Sequence, residues 1–295
     1  MTEQNAVHTP RPARFTSAAR TAVGALRTGL REGAAGSHMD VVCAQNDIAR
    51  GEADLHLHTS FSDGMADVPE LLDYVEERTD LDVIAIVDHD DIRGALAARE
   101  RWAKGSYGFE VVTGIEVTAI EGHVLALWIE EPVGSLRPLE RILEDVDRQG
   151  GVCIVPHPMS WLTRSVGAKT LRRLAGDLDG MEVASRSPAA AVSIRRAAAL
   201  NRGSLQLAEL GGSDAHFLPA IGSAYTEFGG RTAADLKQAI VARSTRAAYG
   251  PPVAWHRLGV GHIARQTWRG MRATPRAMGW GPTALSFVRR ILRVR

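Results

Sequence analysis

Between residues 53 and 211 seven short apolar runs recur, at 53–57, 83–87, 111–116, 123–129, 152–156, 180–184 and 206–211. Each has the length of a strand, not of a helix. Helical patterns lie between most of them. Val68, Leu71, Leu72 and Val75 fall at i, i+3, i+4 and i+7, and Leu139, Ile142, Leu143 and Val146 repeat that spacing, as helices with one apolar face do. Thr232 stands where it can cap a helix carrying Leu236, Ala239 and Ile240. Strands alternating with helices predict an α/β fold with a largely parallel sheet. About seven strands in some 200 residues close naturally into a barrel. The runs 111–116 and 123–129 are too close for a helix between them, so that pair is expected as a hairpin and the barrel as irregular.

The histidines follow this framework. Of ten in the chain, six lie within residues 51–250. His56 and His58 close the first run in Asp54-Leu55-His56-Leu57-His58, and a spacing of two on a strand puts both rings on one face. Asp63 follows in Phe61-Ser62-Asp63-Gly64. His89 ends the second run, Glu116 the third and His157 the fifth, while His123 opens the fourth. Asp214 and His216 follow the seventh, in Gly212-Ser213-Asp214-Ala215-His216. Most of these positions are carboxyl ends of strands, the face on which active sites of parallel barrels assemble. Any one of these histidines could be a satisfied core residue. Nine imidazoles and carboxylates in one mouth would repel and be poorly solvated, and divalent cations resolve that conflict. Imidazole with carboxylate, without thiolate, suits zinc, manganese or iron(II), and nine ligands suit two or three closely spaced ions.

Together these motifs, Asp54–Thr59 with Ser62-Asp63-Gly64, Asp88-His89-Asp90, Gly114–Val117, Pro156-His157-Pro158 and Gly212–His216, resemble the PHP (polymerase and histidinol phosphatase) superfamily over residues 53–250. The resemblance implies a distorted (βα)7 barrel with a two- or three-metal site. It implies that His56, His58, Glu116 and Asp214 hold one ion, that Glu116 bridges to a second held by His123 and His157, and that Asp63, His89 and His216 hold a third. The stretch from Gly212 to His216, followed by Ile221-Gly222 and Tyr225-Thr226, looks like the small members that act on nucleotides or short oligonucleotides. The implied activity is hydrolysis of a phosphomonoester, nucleotide or short oligonucleotide by a hydroxide generated on the metals. The alternatives are a histidinol-phosphatase-like activity on an amino-alcohol phosphate and a non-catalytic scaffold, although a scaffold would be marked by lost ligands and none is lost.

Asp54, Asp88 and Asp90 are candidates to orient ligand imidazoles, or are turn and strand-end residues. Arg164 and Arg186 are candidates to meet the phosphate, and Trp161 either stacks on a base or packs on the barrel. Cys153, mid-strand, is read as a buried packing residue.

The ends differ in charge from the centre. Residues 51–250 carry 20 Lys and Arg against 30 Asp and Glu, whereas residues 251–295 carry nine Arg and no acid. The acidic centre argues against long nucleic acid as substrate. The tail, with Trp255, Trp268, Trp280 and Phe287, is expected to be a basic helical segment that touches an anionic membrane surface or nucleic acid, or packs its tryptophans on the core. Residues 1–50 are expected to be mostly disordered, with at most a short helix near 16–30. Two cysteines cannot build a disulfide framework, no run of 18 apolar residues exists, and a cytoplasmic location is expected.

Overall fold

In the computed structural model, residues 49–253, 258–265 and 268 are described. All seven expected strands form: β1 (Arg50–Leu57), β2 (Val83–Ile86), β3 (Glu110–Thr118), β4 (His123–Leu127), β5 (Val152–Val155), β6 (Gly180–Ala184) and β7 (Ala208–Gly211). Two more complete the sheet, β8 (Ala224–Gly229) and β9 (Arg246–Tyr249). The helices are α1 (Val68–Arg78), α2 (Arg93–Lys104), α3 (Leu139–Arg148), α4 (Ala168–Leu174), α5 (Pro188–Ala191), α6 (Ile194–Leu200) and α7 (Ala233–Val241).

The strand order is β7-β6-β5-β4-β3-β2-β1-β8-β9. β1, β2 and β3 are parallel, as are β5, β6 and β7. The expected hairpin is present: β4 runs antiparallel to β3, with Thr118 opposite His123. β8 and β9 are antiparallel additions beside β1. The sheet curls into a nearly closed barrel. At the join, Thr226 of β8 donates its hydroxyl to the Gly211 carbonyl of β7 and accepts from the Gly211 N–H, both at 3.0 Å.

Local signals account for the helices. Asp67 caps α1 and forms a reciprocal pair with Glu70, and Thr232 does the same for α7 with Asp235, satisfying backbone donors that a helix start leaves free. The apolar stripes of α1 and α3 are the buried residues that the spacing predicts. One core cluster joins Ile84, Ile86 and Ile115 of the sheet to Leu71, Leu72 and Ile142 of the helices. A second joins Leu55, Val83, Leu125, Ile154 and Leu210 to Leu236 and Ile240 of α7. Truncating any of these fully buried side chains to Ala is expected to cost about 2–5 kcal/mol.

No helix among the described residues is long and apolar enough to cross a membrane. The expectations for residues 1–48 and for most of the basic tail, including any membrane or nucleic-acid contact, lie outside the described residues; residues 260–265 are helical.

Candidate metal centre

The carboxyl end of β1 supplies His56 and His58 side by side, with ring centroids 5.1 Å apart. The segment after β7 pairs with that end: the His58 N–H donates to the Ala215 carbonyl at 3.0 Å, and the Ala215 N–H donates to the His56 carbonyl at 3.1 Å. This places Asp214 Oδ1 3.4 Å from Nε2 of both His56 and His58. Asp214 reaches them from a left-handed backbone, φ 53°, and His157 also has positive φ, 29°. Such conformations are uncommon for residues other than glycine, and they cluster at sites whose surroundings hold them in place.

Glu116, fully buried at the end of β3, is the hub. Its Oε2 lies 3.3 Å from ring nitrogens of His56, His58 and His89. Its Oε1 lies 2.8 Å from His123 Nδ1 and 2.9 Å from His157 Nε2. The hairpin that sets His123 opposite Thr118 makes this reach possible. On the far side of His58, Asp63 Oδ2 is 3.2 Å from His216 Nε2, and Asp63 Oδ1 is 3.9 Å from His89 Nε2. The potential ligand atoms of His58, Asp63, His89 and His216 all lie within 4.8 Å of one another, as do those of His56, His58 and Glu116, those of His56, His157 and Asp214, and those of His89, Glu116 and His123. The structure thus brings together all nine residues that the sequence singles out.

Burial opposes charge on these groups, and their neighbours oppose burial. Burial alone would raise the carboxyls of Glu116 and Asp214. The imidazoles around them instead hold both well below the ordinary range, His89 and His123 acting most on Glu116 and His56 on Asp214. Asp63 is lowered in the same way, chiefly by His216. Burial would lower His58, but Asp214 and Glu116 outweigh it and raise the imidazole to about 10. His56 and His216 are also raised, His56 by Asp214 and Glu182 and His216 by Asp63. His89 goes the other way, to about 4, because burial and the charges of His58 and His123 prevail over its carboxylate neighbours.

The buried nitrogens test whether divalent cations fit. Both ring nitrogens of His58 and Nδ1 of His123 are buried without a hydrogen-bond partner, although His123 Nδ1 is 2.8 Å from Glu116 Oε1. A nitrogen and an oxygen that close, but not aligned as donor and acceptor, are oriented as two ligands of one ion. The donor set contains imidazole and carboxylate and no thiolate, which suits borderline divalent cations. The residues present fit such ions.

A family profile described as PHP-associated matches residues 195–245. The chain is 31% identical over 142 residues to an uncharacterized protein of Methanocaldococcus jannaschii, a match spanning 45% of this chain and 80% of that one. Its fold is similar to that of a two-domain protein from Bacteroides vulgatus containing a predicted PHP-like metal-dependent phosphoesterase, with a TM-score of 0.56 at 21% identity over 74% of this chain and 70% of that one. The chain belongs to the PHP superfamily of metal-dependent phosphoesterases. This PHP chain is also 35% identical over 92 residues to a phosphoribosyl 1,2-cyclic phosphate 1,2-diphosphodiesterase of Eggerthella lenta, spanning 29% of this chain and about a third, 34%, of that enzyme.

Above the PHP centre opens a cavity of about 500 Å³, bordered by Thr118, Trp161, Leu162, Thr163, Arg164 and Ala189 as well as by residues of the centre. Arg164 is the one arginine or lysine among its lining residues. Its Nη2 donates to the Ala119 and Ile120 carbonyls, at 3.0 and 3.1 Å. Arg186 departs from expectation. Its guanidinium turns away from the cavity, donates to the Ser223 and Gly250 carbonyls and lies over the Tyr249 ring, because β8 and β9 bring those acceptors within its reach.

The three aspartates are corrected in role. None hydrogen-bonds a ligand imidazole; each accepts from backbone N–H groups near the centre. Asp54 accepts from the N–H groups of Ser213 and Gly222, and burial raises its carboxyl to about 6. Asp88 accepts from the Thr59 N–H and from the Thr59 and Ser62 hydroxyls. Asp90 accepts from the Thr118 N–H. The carboxylate that does touch an imidazole, and the backbone of a second histidine, is Glu182 of β6, which sequence reasoning missed. Its Oε1 is 2.7 Å from His56 Nδ1, and its Oε2 accepts from the His157 N–H at 2.8 Å. The available signal was a lone acid inside the apolar run Gly180-Met181-Glu182-Val183-Ala184. Cys153 is buried, and burial raises its thiol, which suits packing and not nucleophilic attack.

Proposed function

We propose that this PHP chain hydrolyses small phosphoesters, a phosphomonoester, nucleotide or short oligonucleotide, in a two- or three-metal site held by His56, His58, Asp63, His89, Glu116, His123, His157, Asp214 and His216. The observation that carries the reading is Glu116, whose two oxygens divide five imidazoles into two groups, three on Oε2 and two on Oε1. A carboxylate so placed serves as a bridge. Bound manganese, zinc or iron ions would activate water and offset charge on the phosphoryl oxygens.

The chain's own groups prepare that chemistry. Glu182 takes the Nδ1 proton of His56 in a hydrogen bond and leaves Nε2 facing Glu116 and Asp214. The Asp214 carbonyl does the same for His216, 3.0 Å from its Nδ1, and leaves Nε2 beside Asp63. Fixing the tautomer through the far nitrogen is how metal-binding histidines are oriented. Arg164, at the rim, supplies the fixed cation for a phosphoryl oxygen. A cavity of about 500 Å³ is in the range for a ligand of nucleotide size, and the acidic balance of residues 51–250 disfavours a long polyanion.

An amino-alcohol phosphate fits less well. It needs an acid to pair with its ammonium, and every carboxylate lining the cavity, Asp63, Glu116 and Asp214, belongs to the proposed ligand set. The test is hydrolysis of p-nitrophenyl phosphate and of thymidine 5′-monophosphate by the metal-loaded chain, before and after chelation and in Asp214→Ala. Turnover lost on chelation, restored by manganese and absent in Asp214→Ala is expected. Turnover that survives both treatments contradicts the reading.

A further inference from the structure

Trp161 is 76% exposed and borders the metal cavity. It does not pack on the barrel. The loop that carries it is nonetheless well tied. The Met159 N–H donates to the Val166 carbonyl and closes the loop at its base. Inside it, the Ser160 N–H donates to Ser165 Oγ, the Ser160 hydroxyl to the Ala189 carbonyl and the Ser165 hydroxyl to the His157 carbonyl. Arg164 pins the same loop to the β3–β4 hairpin through the Ala119 and Ile120 carbonyls. These bonds fix the backbone that carries the aromatic before any ligand arrives, which favours binding. Thr118 and Arg164 line the same cavity as Trp161.

We propose that Trp161 is the stacking platform for a nucleobase, with Arg164 meeting the polar end of the same ligand beside the metal centre. The proposal rests on the phosphoester reading and names what the rest of the ester is: a planar, aromatic nucleoside and not a short aliphatic alcohol. Stacking on an aromatic is sequence-tolerant, because every base has a π-face. The platform therefore selects the chemical class and not one base. Leu162, 50% exposed, lines the same cavity and offers an apolar edge to the base.

The test compares wild type, Trp161→Phe and Trp161→Ala as metal-loaded full-length chain. Thymidine 5′-monophosphate, the dinucleotide pTpT and glycerol 2-phosphate serve as substrates, and thymidine alone serves as a ligand in calorimetry. Trp161→Ala is expected to lower kcat/KM on thymidine 5′-monophosphate by about ten-fold or more, through KM. Trp161→Phe keeps most of the value, and neither variant alters glycerol 2-phosphate. A loss on pTpT larger than on the mononucleotide assigns the platform to the end of an oligonucleotide; equal losses assign it to a mononucleotide. Thymidine binding should weaken in parallel. Equal losses on the nucleotide and on glycerol 2-phosphate, or thymidine binding that is absent in wild type or unchanged in Trp161→Ala, overturn the proposal. Trp161-dependent thymidine binding without hydrolysis of any ester overturns only the phosphoester reading.

Discussion

His56 Nδ1 and Glu182 Oε1 lie 2.7 Å apart, and both side chains are sealed from solvent. The pair fixes which nitrogen of His56 faces Glu116, and Glu182 itself stands outside the proposed ligand set. Glu182→Gln is expected to weaken metal binding by about 10–100-fold while the protein still folds. Glu182→Ala orphans the His56 ring N–H and the His157 backbone N–H together, at a cost of about 1–3 kcal/mol for each. Metal titration and thermal unfolding of the two variants check both statements.

Gly212 approaches the same carboxylate. A Cβ there would lie 2.2 Å from Glu182 Oε1 and 3.1 Å from His56 Cβ. Gly212→Ala must displace Glu182 and is expected to cost about 1–3 kcal/mol, with loss of metal affinity. Gly203→Ala, where nothing lies within 4 Å of the added carbon, is the matched control and should leave metal affinity unchanged.

The two arginines separate by readout. Arg164→Gln is expected to raise KM for phosphoesters about ten-fold, since it removes the cavity's fixed cation. Arg186→Gln should leave KM unaltered and lower stability by about 1–3 kcal/mol, because the Ser223 and Gly250 carbonyls lose a charged donor. Steady-state kinetics beside thermal unfolding distinguishes them, and a KM change in Arg186→Gln would contradict its placement.

Stability of the metal-stripped protein should fall as pH rises, while the stability gained on adding metal should grow. A histidine whose pKa is raised by folding stabilises below its unfolded value, and that stability is lost as pH rises through the folded value. His58, raised from 6.5 to about 10, behaves so, and His56 and His216 add to it. Asp54, raised from 3.8 to about 6, has the same sign, since the folded state holds its proton more tightly. The metal-stripped protein should therefore lose stability steadily from about pH 6 to pH 9. Metal binding displaces the histidine protons, so the stability gained on adding manganese should grow over that interval. Unfolding midpoints at several pH values check this. A stripped protein that becomes more stable with rising pH would contradict it.

Much of this arrangement is legible in the sequence because strand ends and apolar runs are local features. His56 and His58 share a face by strand geometry alone, and the short gap before His123 announces the hairpin. β8 and β9 are not legible. Their residues, Ala-Tyr-Thr-Glu-Phe-Gly and Arg-Ala-Ala-Tyr, are half-exposed in alternation or along the edge, so no apolar run marks them, and with them goes the true position of Arg186. Glu182 is hidden for the opposite reason: its charge is compensated by residues 126 and 25 positions away, which no local pattern reports. Asp54, Asp88 and Asp90 stand beside the ligands in sequence, yet their acceptor oxygens point to backbone N–H groups and hydroxyls of neighbouring loops, a distinction that only the folded geometry makes.

The proposed function turns on Glu116 as a bridge between cations. Metal content per chain, measured by elemental mass spectrometry on wild type and Glu116→Gln after equilibration with manganese, tests it most directly. Two or three ions in the wild type, falling by more than one on that single substitution, is the result the bridge predicts. One ion or none in the wild type, or an unchanged count in Glu116→Gln, would contradict it.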